Sequence, residues 1–166
     1  SAMSDVLLRT VRTTALVFMI IVGAHIFSPF IALTNIPEDL AELLGDQAMP
    51  RIAALMIILL AYIILGTFLE GFAMLVLTLP IVHPLILALG YDPIWFGVVM
   101  VIVLEMGLIS PPVGVNVFVV KGIAGDIPMG DIFKGILPFW LAMGVCLAFL
   151  VAFPPIALFL PNTMIN

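Results

Sequence analysis

The chain has 166 residues, of which 64% are hydrophobic and 9% are charged, and its mean hydropathy is +1.38. This composition excludes a soluble globular domain, and several apolar runs of about 17 to 30 residues predict an all-α, polytopic membrane protein. The net charge of -5 is spread over short loops, and no basic or aromatic-rich stretch indicates a nucleic-acid partner. We therefore expect residues 1–166 to form a single multi-pass domain in a lipid bilayer.

The N-terminal part predicts one membrane span and then a helix at the membrane surface. Ser1-Ala2-Met3 is typical of a remnant left by a cloning vector, and the first span covers about residues 13–30. Asn35-Ile36-Pro37-Glu38-Asp39 has the polar cap, the proline and the acidic first turn that start a helix. Leucines at 40, 43 and 44 share one face, so we expect a short amphipathic helix that lies at the interface without crossing.

The next apolar segment, from Arg51 to about Leu89, is interrupted once, by Gly66-Thr67-Phe68-Leu69-Glu70-Gly71. Each arm is roughly 24 Å of helix. Either both arms cross the bilayer, or they form a re-entrant hairpin whose tip ends inside it. The hairpin is favoured because the interruption carries one charge and has apolar residues where a turn in water would be polar. Glu70 is expected to cap the returning helix through its dipole.

The following span, about residues 93–124, contains Gly107-Leu108-Ile109-Ser110-Pro111-Pro112-Val113-Gly114. Pro111 and Pro112 have no backbone N–H, and the flanking glycines permit unusual dihedral angles, so this sequence predicts a broken helix. Carbonyl groups freed at membrane depth must be buried in protein or line a cavity. Secondary transporters use such breaks to bind ions and substrates, while a kinked helix without a ligand is the alternative.

The remaining elements are a turn, a polar connection and a last span. Gly90-Tyr91-Asp92-Pro93 is the turn, and Trp95 after it is expected to be an aromatic anchor at the membrane interface. A polar connection over residues 125–131 leads to a span of about residues 136–153, which Pro154-Pro155 ends.

The distribution of basic residues predicts the orientation of the chain. One side of the membrane then holds four basic residues, and the other side holds Arg51 with most of the loop acids. The four are Arg9, Arg12, Lys121 and Lys134. The positive-inside rule places them in the cytoplasm, so the C-terminus is expected on the periplasmic or extracellular side.

The two interruptions together predict a site for a monovalent cation. Carbonyls at Gly107, Ser110 and Val113, the Ser110 hydroxyl and the Gly66 carbonyl are neutral oxygens, which suit Na+ better than Mg2+ or a transition metal. Residues beside these are possible neighbours of the ion or substrate: Thr67, Glu70, Glu105, Pro111, Pro112 and Gly114. Beyond Na+ as the coupling ion we expect no cofactor or metal, and no arrangement of residues predicts an enzyme.

Glu70 and Glu105 are carboxylates at membrane depth and hence functional candidates. Glu105 is expected either to relay protons or to accept hydrogen bonds while facing the interior of the bundle. Two other functions stay open. A channel subunit would line a cation path with both carboxylates, and a structural membrane subunit would have no ligand site.

An ordered set of motifs carries a resemblance to a known family. The set comprises Leu65 with the hairpin interruption, Leu79-Pro80-Ile81-Val82-His83-Pro84, the turn at 90–93 and the break at 107–114. Together they resemble the C-terminal half of the large, DctM-like membrane subunit of tripartite ATP-independent periplasmic (TRAP) transporters.

The resemblance implies one of two inverted repeats of an elevator-type, sodium-coupled secondary transporter in the inner membrane of a bacterium or archaeon. It implies organic-acid substrates, such as C4-dicarboxylates or sialic acid, delivered by a periplasmic binding protein. A small, DctQ-like membrane subunit and an N-terminal repeat outside this chain are implied partners. The family's Na+ positions fall on Gly66, Gly107, Ser110 and Val113. Ser110 stands where threonine is more usual, and Glu105 where a neutral polar residue is.

Overall fold

The computed structural model of the chain describes residues 2–35, 39 and 49–164. Over these residues the fold consists of seven α-helices and no strand, which confirms the predicted all-α class. The helices are α1 (Ala2–Leu33), α2 (Arg51–Gly66), α3 (Gly71–Ala88), α4 (Pro93–Leu108), α5 (Val115–Ala124), α6 (Met129–Ala152) and α7 (Pro155–Met164). The predicted interfacial helix falls outside the described residues, apart from Asn35 and Asp39 in its predicted first turn.

Helix lengths separate full spans from partial ones. Of the helices described, α1, α3 and α6 are long and apolar enough to cross a bilayer. The helices α2 and α4 have 16 residues each, about 24 Å, which is shorter than the roughly 30 Å hydrocarbon core. They end at Gly66 and Leu108, inside the two predicted interruptions. The chain is a polytopic membrane protein with a helical hairpin, α2–α3, and a broken helix, α4–α5.

The centre of the fold is α4, which packs against α2, α3, α6 and α7. It is apolar almost all round, as expected for a helix surrounded by protein. Val99 and Val103 of α4 are fully buried in one cluster with Leu55 and Leu59 of α2. Lipid is as apolar as these side chains, so close van der Waals contact is what stabilises the packing in a membrane.

The prediction that Trp95 anchors the chain at the interface is wrong. Its side chain is 1% exposed, and Nε1 donates to the carbonyl oxygen of Leu150 on α6 at 2.8 Å. Asp92 caps α4 by accepting from the backbone N–H of Trp95 at 3.0 Å, and this start of the helix turns the indole inward. Tyr91 stacks on Trp95, with ring centroids 5.1 Å apart. Burial raises the pKa of the Tyr91 hydroxyl, and the positive charge of Arg51 opposes that rise.

The first and last spans are longer than predicted. Helix α1 starts at Ala2, and α6 starts at Met129, so the last three residues of the expected polar connection are helical. Asp131 and Lys134 lie one turn apart in α6 and form an exposed ion pair at 3.0 Å. Lys121 Nζ donates to the carbonyl of Ile127 at 2.7 Å and thereby holds the shortened connection to the end of α5. Polar residues that are paired or solvated extend these helices beyond their apolar parts.

Candidate ion site

The tip of the hairpin lies directly against the break in the next helix. A Cβ atom placed on Gly107 would be 2.8 Å from the Cα of Gly66, and one placed on Gly66 would be 3.0 Å from the Cα of Gly107. A Cβ atom at Gly107 would require the backbones to move apart, and one at Gly66 would be in an unusually tight contact, so both positions favour glycine. Backbone touches backbone here, and the two interruptions form one site.

Several carbonyl groups of this site have no hydrogen-bond partner within the part of the chain that the structure describes. These are the carbonyls of Gly66, Ser110 and Val113. The Gly107 carbonyl differs because it accepts from the N–H groups of Ile109 and, at 3.0 Å, Ser110. Gly114, at φ +60, carries the chain from the break into α5. In three of the four predicted ligand residues, the backbone oxygen therefore accepts no hydrogen bond from any described residue.

The hydroxyl of Ser110 is buried and doubly hydrogen-bonded. Its side chain is 5% exposed, and Oγ donates to the carbonyl of Met106 at 2.6 Å. Trp140 on α6 donates from Nε1 to the same Oγ at 2.8 Å. Thr67 at the tip is buried as well, and its hydroxyl donates to the carbonyl of Ile64 at 2.7 Å. The polar side chains of the site thus have ordered partners.

A cavity of about 340 Å³ lies beside this site, between the tip, the break and α6. Thr67, Ser110 and Trp140 are the polar side chains in its wall, and the other lining residues are apolar. All three polar groups already donate their hydrogen within the protein. The cavity therefore offers no spare side-chain donor for a carboxylate.

The two membrane carboxylates have separate surroundings. Glu70 caps α3, because its Oε2 accepts from the N–H of Ala73 at 2.9 Å, and the predicted capping role is confirmed. Glu105 is exposed, so the expectation that it faces the bundle interior is wrong for the described fold. Val103, two residues and hence about 200° away on α4, is fully buried and faces inward.

The other predicted neighbours of the ion or substrate differ in their burial. Gly114 is buried, whereas Pro111 and Pro112 are exposed, and Pro111 also lines the cavity. Among the residues described, no group of three or more His, Cys, Asp or Glu side chains lies close enough to hold a metal ion.

Sequence analysis missed Trp140. It lies well inside α6, where an apolar span gives no reason to single it out, and its partner Ser110 is 30 residues away. The available signal was the indole N–H itself, because a donor within a membrane span requires an acceptor from a neighbouring segment.

Removing the Glu70 cap should destabilise the hairpin modestly. We expect Glu70→Ala to lower the free energy of unfolding by about 1 kcal/mol, because the first turn of α3 loses its side-chain acceptor. Thermal unfolding of the purified chain in detergent measures the effect. Glu105→Ala, which removes an exposed carboxylate on α4, is the matched control and should leave the midpoint unchanged. Equal shifts in both variants would contradict the capping role.

An all-helical protein of several spans, in which a hairpin tip meets a broken helix, has the architecture that secondary transporters use for their binding sites. The comparison with known families is specific. The family model for the DctM component of the tripartite ATP-independent periplasmic transporter matches residues 1–156. The chain belongs to this family, which is one of transporter permeases.

Individual relatives show the same likeness. The sialic acid TRAP transporter large permease protein SiaM of Vibrio cholerae is 34% identical over 162 residues, which are 98% of this chain and 38% of the relative. The C4-dicarboxylate TRAP transporter large permease protein DctM of Pseudomonas aeruginosa is 32% identical over 95% of this chain and 36% of its own length. The isethionate TRAP transporter permease protein DctMQ of Oleidesulfovibrio alaskensis is 33% identical over 93% of this chain and 24% of its own length. The chain thus spans less than two fifths of each of these relatives.

Proposed function

We propose that the chain is the second repeat of the permease subunit of a sodium-coupled secondary transporter for organic acids. The contact between Gly66 and Gly107 carries the proposal, because it brings the backbones of two interrupted helices together. Each interrupted helix leaves carbonyls without a helical partner, and a small cation is a suitable partner for them.

The donor set fits Na+. Free carbonyls at Gly66, Ser110 and Val113 and the buried Ser110 hydroxyl are uncharged oxygen ligands. The two nearest carboxylates in sequence are otherwise placed, since Glu70 caps α3 and Glu105 lies exposed on α4. A divalent cation usually takes one or more carboxylates, whereas a monovalent cation needs only neutral oxygens. When bound, the ion supplies the positive charge that holds the tip and the break together.

The substrate class follows from the relatives and from the local electrostatics. The three relatives are named for sialic acid, C4-dicarboxylates and isethionate, all of which are organic anions. Helix α5 starts at Val115 directly after the break and points the positive end of its dipole toward it. An anion would therefore be favoured on the α5 side, with the cation on the carbonyl side.

The remaining parts of the proposal concern the assembly. We assign the chain to the inner membrane of a bacterium or archaeon, with an elevator movement that needs the other repeat of the permease. A periplasmic substrate-binding protein delivers the anion, and a small, DctQ-like membrane subunit supports the permease. The excess of basic residues on one side puts the C-terminus on the periplasmic side.

Sodium-dependent stability tests the ion site. The purified chain in detergent should unfold at a higher temperature in NaCl than in KCl of equal ionic strength. We expect Ser110→Val, which removes the buried hydroxyl while keeping a side chain of similar size, to lose most of this difference.

Ser110→Thr is the matched control, because it keeps the hydroxyl and should keep most of the Na+ effect. Equal unfolding temperatures in NaCl and KCl for the unsubstituted chain would refute the sodium site. If Ser110→Val still unfolds at a higher temperature in NaCl than in KCl, the Ser110 hydroxyl is not a ligand of the sodium site.

The channel hypothesis has less support. It requires Glu70 and Glu105 to line one path, yet Glu70 is engaged at the start of α3 and Glu105 lies on the exposed side of α4. A purely structural subunit would not require a glycine pair that brings two interrupted backbones into contact.

A further inference from the structure

We infer that Trp140 is a positioning residue that leaves the Ser110 hydroxyl with a lone pair but no hydrogen for a ligand at the proposed ion site, an inference that rests on the proposed sodium-coupled function. Trp140 lies on α6, outside both interrupted helices, and reaches the site through one hydrogen bond.

The direction of each hydrogen bond follows from the chemistry of the groups. An indole N–H only donates, so at 2.8 Å the Ser110 oxygen must accept from Trp140. The single hydroxyl hydrogen of Ser110 then goes to the carbonyl of Met106, which only accepts and lies 2.6 Å away. One hydrogen and one lone pair of the hydroxyl are thus assigned, and one lone pair is left.

This assignment determines which ligand Ser110 can serve. A carboxylate needs a donor, and the only hydrogen of the hydroxyl is already engaged in a buried bond. A cation needs a lone pair, and one is available. Ser110 therefore belongs to the cation site, and an anionic substrate must find its donors elsewhere, such as the N–H groups at the start of α5.

The second partner also restricts the side chain. A serine that only bonds its own helix carbonyl can change rotamer at modest cost. Donation from Trp140 adds a bond from a different helix, so movement of the Ser110 oxygen breaks a partly buried bond to the indole as well. The hydroxyl is therefore preorganised before an ion arrives, which lowers the ordering cost of binding.

Titration with Na+ tests the positioning role without transport. The variant Trp140→Phe keeps a six-membered aromatic ring in the wall of the cavity and removes the indole N–H together with the five-membered ring. We expect the Na+ concentration for half-maximal thermal stabilisation to rise about three- to tenfold, which corresponds to the loss of one buried hydrogen bond. Phe139→Leu changes the neighbouring exposed ring of α6 and should leave that concentration unchanged.

Tryptophan emission gives a second readout that needs no change at Trp140. The chain has two tryptophans. The other one, Trp95, lies at the start of α4, away from the break, and its indole N–H donates to Leu150 on α6. Na+ but not K+ should shift the emission of the unsubstituted chain, because a cation near the Ser110 oxygen competes for its electron density. The shift should be absent from Ser110→Ala, in which Trp140 is kept as the fluorophore but has lost its acceptor.

The outcomes separate this inference from the proposed function. If Na+ stabilises the chain but neither shifts the emission nor loses affinity in Trp140→Phe, the sodium site stands and the positioning role of Trp140 is overturned. If Na+ does not stabilise the unsubstituted chain at all, the proposed function fails and the role of Trp140 fails with it.

Discussion

Gly107→Ala should separate the hairpin tip from the helix break and abolish stabilisation by Na+. The added Cβ would lie 2.8 Å from the Cα of Gly66 and 3.2 Å from the carbonyl oxygen of Ile63, both of which are backbone atoms that cannot rotate away. The helices must therefore move apart. We expect the free energy of unfolding to fall by about 1 to 3 kcal/mol, the usual range for overpacking, and the oxygens of the two interruptions to lose their common site.

Gly97→Ala is the matched control on the same helix. Gly97 is exposed, and a Cβ placed there meets nothing within 4 Å. Alanine also has a higher helix propensity than glycine, so this variant should be as stable as the parent or slightly more so. Both variants are compared by thermal unfolding in NaCl and in KCl. Gly107→Ala with an unchanged Na+ effect would show that the contact between tip and break is not part of the ion site.

Trp95→Ala should cause the largest loss of stability among single changes outside the ion site. The indole is 1% exposed in the centre of the packed helices, and its removal leaves a cavity together with an unpaired carbonyl at Leu150. Truncation of a buried tryptophan usually costs about 3 to 5 kcal/mol. The loss should appear equally in NaCl and KCl, because Trp95 does not line the ion site.

Phe159→Ala is the control for aromatic truncation. Phe159 on α7 is 73% exposed, so the same change of size should alter the unfolding temperature little in detergent. Thermal unfolding of the two variants in parallel measures the difference. Similar midpoints for both would mean that Trp95 is not at the centre of the packing, and the arrangement of α4 against α6 would then need revision.

The two tryptophans of the chain both connect helix α6 to the broken helix α4–α5. Trp95 connects α4 to α6 at one end of the broken helix, and Trp140 connects α6 to the break at the other. Helix α6 is thus bonded to α4 and to the break through two indole N–H groups. The bond from Trp95 to Leu150 is buried, and the bond from Trp140 to Ser110 is partly buried beside the cavity.

Several features could be predicted from local patterns. Hydropathy and length predict the class and the long spans, because the thickness of a bilayer sets how many apolar residues a helix needs. Pro111-Pro112 predicts the break since proline removes backbone donors wherever the chain goes. Glu70 could be predicted as a cap for a similar reason, because its partner Ala73 is three residues away. Each of these depends on chemistry within a few residues or on the solvent.

Other features depended on the packing of distant segments. In α4 the apolar residues show almost no periodicity, so the pattern could not indicate that Trp95 faces inward and Glu105 outward. The bond from Trp140 to Ser110 joins residues 30 positions apart, which no local rule relates. A chain apolar on all sides leaves the rotation of its helices undetermined, and only steric fit and buried hydrogen bonds between them select one arrangement.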